Sequence, residues 1–174
     1  MPVKPKDDVD IATLKELFEY DEDAGSLVWR KPRTWRAKPG ARAGWVEKHG
    51  HIAVRIDGRT YKAHRIVFAI VHGRWPNGSI DHRDGDPQNN HISNLRECTH
   101  AQNVHNSCIA RNNTSGAKGV SWGSDRSAWV AQISVNGRNI RLGSFKTVAE
   151  ASHAYQAAAR RLRGEFVRPV ITEP

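Results

Sequence analysis

A polar stretch at residues 111–118, with the sequence RNNTSGAK, divides the 174-residue chain into two parts with different patterns. Clusters of Gly, Ser and Asn interrupt helices and strands and are typical of linkers. Because only 38% of the residues are hydrophobic, neither part can bury a large core. We therefore expect two small domains, residues 1–110 and 113–168, joined by a linker at 111–118.

The second part has the pattern of a three-stranded antiparallel sheet packed on one helix. Two alternating segments, AWVAQISV and NIRLGSF, flank Asn136-Gly137, which is a strong hairpin signal. Thr147 and Glu150 form a capping box, and small residues recur on one face of a helix that ends at Gly164. The residues predicted to point inward are Ala131, Ile133, Val135, Ile140 and Leu142 on the strands, and Ala151, Ala154, Tyr155, Ala158 and Leu162 on the helix.

The first part mixes short helices and short strands, so the predicted fold class is α+β. Asp10 is a candidate N-cap for the first helix, and Asp57-Gly58 predicts a tight hairpin turn. Residues 77–94 are dense in Asp, Asn, Gly and Pro, which predicts a loop. The predicted elements are helices at 10–20, 65–72 and 99–110 and strands at 25–30, 43–47, 51–56 and 59–64.

Positive charge is concentrated in two blocks of the chain. The chain has 27 Lys and Arg residues against 18 Asp and Glu, a net charge of +9. Residues 24–78 carry a net +10 and residues 113–168 a net +6, whereas residues 79–112 carry a net −1. Separate basic blocks on a chain with little apolar surface favour a polyanionic partner, and nucleic acid in particular.

Two other classes of protein are disfavoured by the sequence. No apolar run approaches the roughly 18 residues needed to cross a bilayer, and the N-terminus has no apolar segment typical of a secretory signal. Cys98 and Cys108 form no CxxC pair, which is typical of reduced thiols in a cytosolic protein. A structural zinc site made of these cysteines and nearby histidines is the alternative, since such a site takes four ligands.

The Asp- and Asn-rich segment supplies the groups that phosphodiester hydrolysis requires. Asp81 and His82 adjoin, Asn94 follows 12 residues after His82, and Asn103 follows 9 residues after Asn94. Hydrolysis needs a deprotonated water and a cation on the phosphate oxygens. An imidazole accepts a proton near neutral pH, and carboxylate and amide oxygens suit Mg²⁺.

These residues resemble the HNH nuclease motif in its His-Asn-Asn form, as in free-standing phage homing endonucleases. The upstream segments His64-Arg65-Ile66-Val67 and Gly73-Arg74-Trp75-Pro76 also match. The resemblance covers about residues 15–110, with the core motif at about 62–110. It implies an HNH domain of the ββα-metal type with a β-rich N-terminal arm, acting in the cytoplasm of a bacterial host cell.

The resemblance also implies roles for individual residues. His82 is expected to be the general base, and Asn94 to hold the His82 ring through a hydrogen bond. Asp81 and Asn103 are expected to ligate one divalent metal ion, Mg²⁺ with Mn²⁺ as the alternative, and no structural zinc is expected. The implied reaction is hydrolysis of phosphodiester bonds in double-stranded DNA, leaving 3′-hydroxyl and 5′-phosphate ends. A monomer would nick one strand, and a weak dimer is the alternative.

Other polar residues of this part have ordinary structural explanations. Asp84, Asp86, Asn89 and Asn90 are typical turn residues. Arg83 and Arg96 are predicted phosphate contacts, although Arg96 is equally consistent with a salt bridge. His64 either packs beneath the site or contacts phosphate. The histidines predicted to be solvated are His49, His51, His72, His91, His100 and His153.

The second part closely resembles the APETALA/ethylene-response-factor DNA-binding domain. The matching residues run from Ser115-Gly116-Ala117-Lys118 through Trp129 and Ile140-Arg141-Leu142-Gly143 to Arg163-Gly164. The resemblance implies that the outer face of the sheet enters the major groove while the helix backs it. The predicted DNA contacts are Lys118, Ser121, Trp122, Arg126, Gln132, Ser134, Asn139 and Arg141. Trp129 is predicted to lie in the core, and Trp122 fits either place.

The sequence thus predicts a metal-dependent, homing-type DNA endonuclease that the second domain targets to DNA. The rival interpretation is a non-catalytic DNA-binding regulator in which the HNH part is a relic. The presence of Asp81, His82, Asn94 and Asn103 together favours the enzyme.

Overall fold

The computed structural model describes residues 8–31, 37–99, 102–103, 109, 112–124, 127–135 and 137–164. Helices and strands are mixed along the chain, which confirms the predicted fold class at that level. The chain divides into two units, Met1–Asn103 and Val104–Pro174. Within the described ranges, no helix has both the length and the apolar character that a membrane span requires.

Within the described residues, the named elements of the first unit are two α-helices, a short 3-10 helix and seven strands. The strands form three antiparallel sheets, β1-β2, β3-β4-β5 and β6-β7. The elements in chain order are α1 (Ile11–Leu17), β1 (Phe18–Asp21), β2 (Ser26–Trp29), β3 (Trp45–Val46), β4 (Ile52–Ile56), β5 (Arg59–Lys62), α2 (Ala63–His72), β6 (Ser79–His82), the 3-10 helix (Ile92–Asn94) and β7 (Leu95–Cys98).

Helix α1 begins as the sequence predicts and ends earlier. The Asp10 carboxylate accepts a hydrogen bond from the Thr13 N–H at 2.9 Å, so Asp10 is the N-cap. The helix was predicted to reach residue 20, but β1 begins at Phe18. Phe18 is 1% exposed and its ring lies 4.6 Å from the ring of Trp29, its partner on β2. Packing against β2 therefore overrides the helical spacing of the sequence.

The hairpin β4-β5 delivers the chain into α2. Asp57 and Gly58 have φ values of 47° and 80°, which a two-residue hairpin turn of this kind requires. Helix α2 begins at Ala63, two residues earlier than predicted, so His64 lies on the helix and not on a strand. Gly73, with φ 67°, ends the helix as predicted.

The segment predicted to be a loop, residues 77–94, is partly regular structure. Strand β6 pairs with β7, with Asp81 opposite Arg96 and His82 opposite Leu95. Ile80 and Leu95 are 5% and 6% exposed, and both belong to the core of the first unit. Only residues 83–91 form the loop that connects the ribbon to the 3-10 helix. Composition identified the turn residues but missed the short strand before them.

The sequence predicted a helix at 99–110 and a linker at 111–118, close to the boundary between the two units. Gln102 and Asn103 are helical, and Thr99 accepts the Asn103 N–H at 3.0 Å, as expected for a helix that starts after Thr99. Ile109, also within the predicted helix, is exposed and not helical, and the remaining residues 100–101, 104–108 and 110, which include His100 and Cys108, lie outside the described residues. Part of the predicted linker is an ordered turn, in which Ser115 Oγ donates to the Val120 carbonyl at 2.8 Å.

The second unit is a three-stranded sheet and a helix. Its elements are β8 (Val120–Gly123), β9 (Ala128–Val135), β10 (Arg138–Phe145) and α3 (Val148–Arg163). The strands are antiparallel in the order β10-β9-β8. Thr147 and Glu150 form the predicted capping box, and Gly164 ends the helix. The buried side chains of this unit are Ala117, Val120, Ala131, Ile133, Ala151, Tyr155, Ala158 and Ala159.

Two residues predicted to point inward in this unit are exposed. Ile140 is 44% exposed on β10, which is an edge strand, and Leu162 is 41% exposed in the last turn of α3. A bulge between Arg141 and Gly143 shifts the register, so that Gly143 pairs with Ala131. Strict alternation of inward and outward residues therefore fails after Arg141. Leu142, inside the bulge, packs against the core as predicted.

We expect Gly119→Ala to destabilise the second unit more than Gly137→Ala does. Both glycines have left-handed backbones, with φ values of 71° and 76°. A methyl group at Gly119 would overlap the Tyr155 ring and lie 2.7 Å from the Gln132 carbonyl oxygen, whereas one at Gly137 meets nothing within 4 Å. The strained backbone costs about 1 kcal/mol in both variants, and overpacking adds about 2 kcal/mol at Gly119.

Urea unfolding of the full-length variants, followed by tryptophan fluorescence, measures this difference. Gly137→Ala is the matched control, because it carries the backbone strain without the steric overlap. Equal losses in the free energy of unfolding would contradict the packing of Gly119 against Tyr155.

Candidate functional site

His82 is the buried end of β6. The residue is 5% exposed, and the Nε2 atom of its ring lies 3.0 Å from Asn90 Oδ1. Because an amide oxygen only accepts hydrogen bonds, the His82 ring donates to Asn90 through Nε2. Asn90 is itself 2% exposed. The sequence analysis assigned Asn90 to ordinary turn chemistry, and the structure makes it the side chain that orients His82.

Asn94 is bonded within the loop that follows His82. Its amide nitrogen donates to Asp84 Oδ1 at 3.0 Å and to the Asn89 carbonyl at 2.8 Å, and its Oδ1 accepts from the Asp84 N–H at 3.1 Å. Its backbone carbonyl accepts from the Arg83 N–H at 2.9 Å. Both amide hydrogens are therefore used on Asp84 and Asn89, and Asn94 positions His82 through the loop backbone. The expected hydrogen bond to the ring is made by Asn90 instead.

Asp84 is the centre of the hydrogen bonds in this loop. Burial alone would raise the pKa of the Asp84 carboxyl, but hydrogen bonds from the Asp86 N–H and the Asn89 and Asn94 amides together lower that pKa. Asp84 thus stays ionised and holds the loop through its two carboxylate oxygens. The turn prediction for Asp84 and Asn89 agrees with these contacts.

Asp81 and Arg96 form a buried ion pair across the β6-β7 ribbon. Asp81 Oδ2 accepts from Arg96 Nε at 2.9 Å and from Arg96 Nη2 at 2.7 Å. The two side chains are 4% and 7% exposed. The Arg96 guanidinium is thus enclosed and directed at Asp81, and its contact with phosphate stays a prediction. The salt-bridge alternative is correct, although the pair is buried and not on the surface.

Three histidine rings meet at the site. The ring centroids of His64 and His82 are 5.1 Å apart, those of His51 and His64 5.2 Å, and those of His51 and His82 5.7 Å. The prediction of a solvated ring at His51 is wrong, since the ring is half-buried against the other two. His64 is 6% exposed, which places it beside His82 within the site. The sequence offered no signal for this cluster, because its members come from separate elements.

Burial of the cluster favours neutral rings. Burial lowers the pKa of His64 well below its usual value, and the neighbouring His82 and His51 lower it further. Burial also lowers the pKa of His51, with the nearby His82 as the next cause. A charged imidazole is disfavoured both by loss of water and by a second positive charge nearby. His51 and His64 therefore lie beside His82 as uncharged rings near neutral pH.

The N-terminal arm supports the loop after His82. Tyr20 on β1 accepts the Ile92 N–H through its hydroxyl at 2.9 Å, next to the 3-10 helix that carries Asn94. The ring of His91 lies against Gly25, where an added Cβ would be 2.5 Å from it. His91 is thus packed, contrary to prediction. His49, His72 and His153 are exposed as predicted.

Three further residues named in the sequence analysis, Arg83, Cys98 and Asn103, belong to the described part of the first unit. Arg83 is exposed in the loop, where it is available to solvent. Cys98 is buried and its thiol donates to the Ser79 carbonyl at 3.5 Å, and burial raises the pKa of this thiol to about 11. Asn103 is half-buried in the helical residues after Thr99.

The second unit presents a polar face on its sheet. Gln132 on β9 is directly opposite Arg141 on β10, and Ser134 is opposite Asn139. All four are exposed, and Ser121 on β8 is exposed opposite Val130. Arg141 Nη2 donates to Ser144 Oγ at 2.8 Å on the same strand. Ser121, Gln132, Ser134, Asn139 and Arg141 thus share one surface of the sheet, whereas Trp122, which is opposite Trp129, is on the other face. Arg126 lies outside the described residues.

The two tryptophans of this unit differ in exposure. Trp122 is 51% exposed, and its ring lies 5.2 Å from that of Trp129 in an edge-on arrangement. Trp129 is partly buried and packs against the core, as predicted. Lys118 is half-buried in the turn before β8.

Comparison with known proteins identifies the class of the first unit. A family model described as HNH endonuclease matches residues 61–105, a range that holds His64, Asp81, His82, Asn94 and Asn103. The chain therefore contains an HNH endonuclease domain.

Relatives come from viruses of bacteria and amoebae. Protein 3.8 of Escherichia phage T7 is 34% identical over 112 residues, which cover 62% of this chain and 92% of that protein. An uncharacterized HNH endonuclease, L560, of Acanthamoeba polyphaga mimivirus is 32% identical over 127 residues, which cover 72% of this chain and 65% of that protein. The chain belongs to the HNH endonuclease family that these phage and viral proteins represent.

A solved structure of the HNH homing endonuclease I-HmuI, described for its DNA binding and cleavage, aligns with 88% of this chain and 82% of that chain. The TM-score is 0.41 and the sequence identity is 21%.

We expect Arg96→Met to destabilise the first unit strongly. The substitution leaves the buried Asp81 carboxylate without its guanidinium partner, which typically costs about 3–5 kcal/mol in a buried pair. Arg74→Met is the matched control, since it removes a guanidinium that pairs with Glu97 on the same ribbon but in an exposed position. The control should cost much less, because water replaces the lost partner.

Thermal and urea unfolding of the two full-length variants tests this expectation. A double variant, Asp81→Leu with Arg96→Met, should recover part of the loss, because it removes both charges. Similar stabilities for Arg96→Met and Arg74→Met would show that the Asp81-Arg96 pair is not buried as described.

Proposed function

We propose that the protein is a metal-dependent endonuclease that hydrolyses phosphodiester bonds in double-stranded DNA, with His82 as the general base. The observation that carries the proposal is the buried His82 ring, oriented by Asn90, within the segment that matches the HNH endonuclease family. The similarity to the mimivirus HNH endonuclease L560 supports nuclease activity, and the phage relative supports action inside an infected bacterial cell.

In this proposal His82 removes the proton from the attacking water through Nδ1. The contact with Asn90 Oδ1 keeps the hydrogen on Nε2, so the lone pair that accepts the proton is on the other ring nitrogen. The bonds from Asn94 to Asp84 and Asn89 hold the loop, and hence the ring, in one orientation. Asn90 and Asn94 are therefore positioning residues, and His82 is the catalytic residue.

Asp81 and Asn103 fit the binding of one Mg²⁺ or Mn²⁺ ion. A carboxylate and an amide oxygen are hard ligands, and a set of two leaves the remaining positions to water and phosphate. Arg96 already neutralises Asp81 in part, which favours a weakly held ion over a tightly held one. The bound ion would supply positive charge to the phosphate oxygens during hydrolysis.

The second unit would hold the DNA in this scheme. The exposed row of Gln132, Ser134, Asn139 and Arg141 offers hydrogen-bond donors and acceptors on one face, which is the chemistry that base edges and phosphates require. The opposite face is closed by α3, whose small residues Ala151 and Ala158 allow close packing. We therefore propose that this sheet binds DNA in the manner of the APETALA/ethylene-response-factor domain, and that a monomer nicks one strand.

The alternative of a regulator without catalysis predicts binding without cleavage. His82→Ala should lower the rate of DNA cleavage by about 10²–10⁴-fold, because it removes the general base, while DNA affinity stays nearly constant. His49→Ala, at an exposed histidine near the site, is the matched control. Cleavage of plasmid DNA and a binding titration of the same preparations measure the two effects.

Chelation completes this test. Cleavage by the wild-type protein should stop in excess chelator and return with Mg²⁺. Cleavage by His82→Ala at a rate near that of wild type would contradict the assignment of the base, and the absence of cleavage by wild type in Mg²⁺ and Mn²⁺ would favour the regulator.

A second prediction concerns the sheet of the second unit. Arg141→Ala should weaken DNA binding and lower the slope of log affinity against log salt by about one unit, as for the loss of one phosphate contact. Arg160→Ala removes the same charge from α3, on the other side of the sheet, and should have a smaller effect.

Affinity measurements over a range of salt concentrations test both variants, and maps of cut sites compare their selectivity. Equal effects of Arg141→Ala and Arg160→Ala would show that the polar face has no special part in DNA binding.

A further inference from the structure

The three histidines of the site are contributed by three separate elements. His51 immediately precedes β4, His64 lies in the first turn of α2, and His82 ends β6. One ring nitrogen from each lies within 4.8 Å of the others. Because these elements belong to the core of the first unit, the rings are held together by the fold and not by a flexible loop.

Two of these rings have an unused polar atom. Nδ1 of His51 and Nδ1 of His64 are buried and have no hydrogen-bond partner among the described residues. Buried ring nitrogens normally have a partner, since burial without one costs free energy. The pair of unsatisfied nitrogens beside His82 therefore points to a ligand that accepts several nitrogen lone pairs at once.

We propose that His51, His64 and His82 form a binding site for one transition-metal ion, Zn²⁺ in the first instance, and that the bound ion inhibits the nuclease. The site shares no ligand with the proposed Mg²⁺ ligands Asp81 and Asn103. Only its inhibitory effect rests on the proposed function, because it depends on His82 being the general base.

The ligand set selects for zinc over magnesium. Three imidazoles with one open position are a common zinc environment, whereas Mg²⁺ prefers oxygen ligands. With Zn–N bonds of about 2.0–2.1 Å, ligand nitrogens in a tetrahedral site are roughly 3.4 Å apart. The separations of up to 4.8 Å would close by small rotations of the three side chains.

Asn90 also orients the His82 ring for metal binding. The contact between its Oδ1 and His82 Nε2 is an outer partner of the kind that is typical of metal-bound histidines. The lone pair that would bind zinc is the one that would accept the proton from water. A zinc ion on His82 therefore removes the base without disturbing the fold.

Metal binding is tested directly on the full-length protein freed of metal. Titration with Co²⁺, whose visible absorption reports tetrahedral nitrogen ligation, should show one site that Zn²⁺ displaces. His51→Gln and His64→Gln should each weaken this site by at least about tenfold, since even outer-shell changes commonly cost 10–100-fold in affinity. His49→Gln, two residues from His51 and exposed, is the matched control and should leave the site unchanged.

If His64→Gln fails to fold, His51→Gln still tests the site, because His51 is only half-buried. Loss of the tetrahedral signal in His51→Gln but not in His49→Gln supports the site. Equal binding by wild type, His51→Gln and His64→Gln overturns it, because any ion would then be held by other residues.

Inhibition is tested separately by adding Zn²⁺ to cleavage reactions that contain Mg²⁺. Each variant is compared with its own rate in Mg²⁺ alone. Inhibition of His51→Gln should require at least about tenfold more Zn²⁺ than inhibition of wild type or His49→Gln. Faster cleavage on addition of Zn²⁺, or equal inhibition of all three proteins, overturns the inhibitory role. If the wild-type protein does not cleave DNA in Mg²⁺, the proposed function fails while the Co²⁺ titration still decides the metal site.

Discussion

The need to give every buried polar group a partner organises the first unit. Seven of the eight buried polar or charged side chains in the described part of the chain lie between His64 and Arg96. Arg65 shows how they are used, because its guanidinium donates to the Gly78 carbonyl at 2.7 Å and to the Pro76 carbonyl at 3.2 Å. These bonds tie α2 to the connection that leads into β6. Since His64 precedes Arg65 and His82 ends β6, the same bonds set the distance between the two histidines.

Apolar packing alone would not position the β6-β7 ribbon. Its buried apolar side chains are Ile80, Leu95 and Cys98, and full burial of one such aliphatic side chain contributes about 1.5–3 kcal/mol without fixing a direction. Loss of one partner from a buried ion pair costs about 3–5 kcal/mol. The Asp81-Arg96 pair therefore makes any other register of the two strands unfavourable, even though it contributes less to stability than its contacts suggest. Register, in turn, decides which face His82 occupies.

Features that depend on near neighbours were predictable from the sequence. The Asp10 cap, the Asp57-Gly58 turn and the Thr147-Glu150 capping box each involve residues at most three positions apart. The HNH residues were identifiable by their spacing, but their partners were not. His51 is 31 residues from His82 and meets it only after β4, α2 and β6 have packed. The buried position of Arg96 depends on its register opposite Asp81, and the bulge at Leu142 depends on pairing with β9. Composition and periodicity carry no information on such non-local contacts.

The histidine cluster bears directly on the proposed role of His82 as the general base. A base must be uncharged before it can accept a proton, and burial beside other imidazoles disfavours the charged ring. His51 and His64 are rings of this kind. Burial lowers the pKa of each below its usual value, and the neighbouring His82 is the next cause. The buried Nδ1 atom of each ring has no hydrogen-bond partner among the described residues. Neutral imidazoles held at such short range are also good ligands for a borderline-soft cation. Uncharged His51 and His64 rings beside His82 and the proposed nitrogen-rich metal site therefore arise from the same arrangement. In the proposed function Mg²⁺ is instead bound by the oxygen ligands of Asp81 and Asn103, which the histidines do not offer.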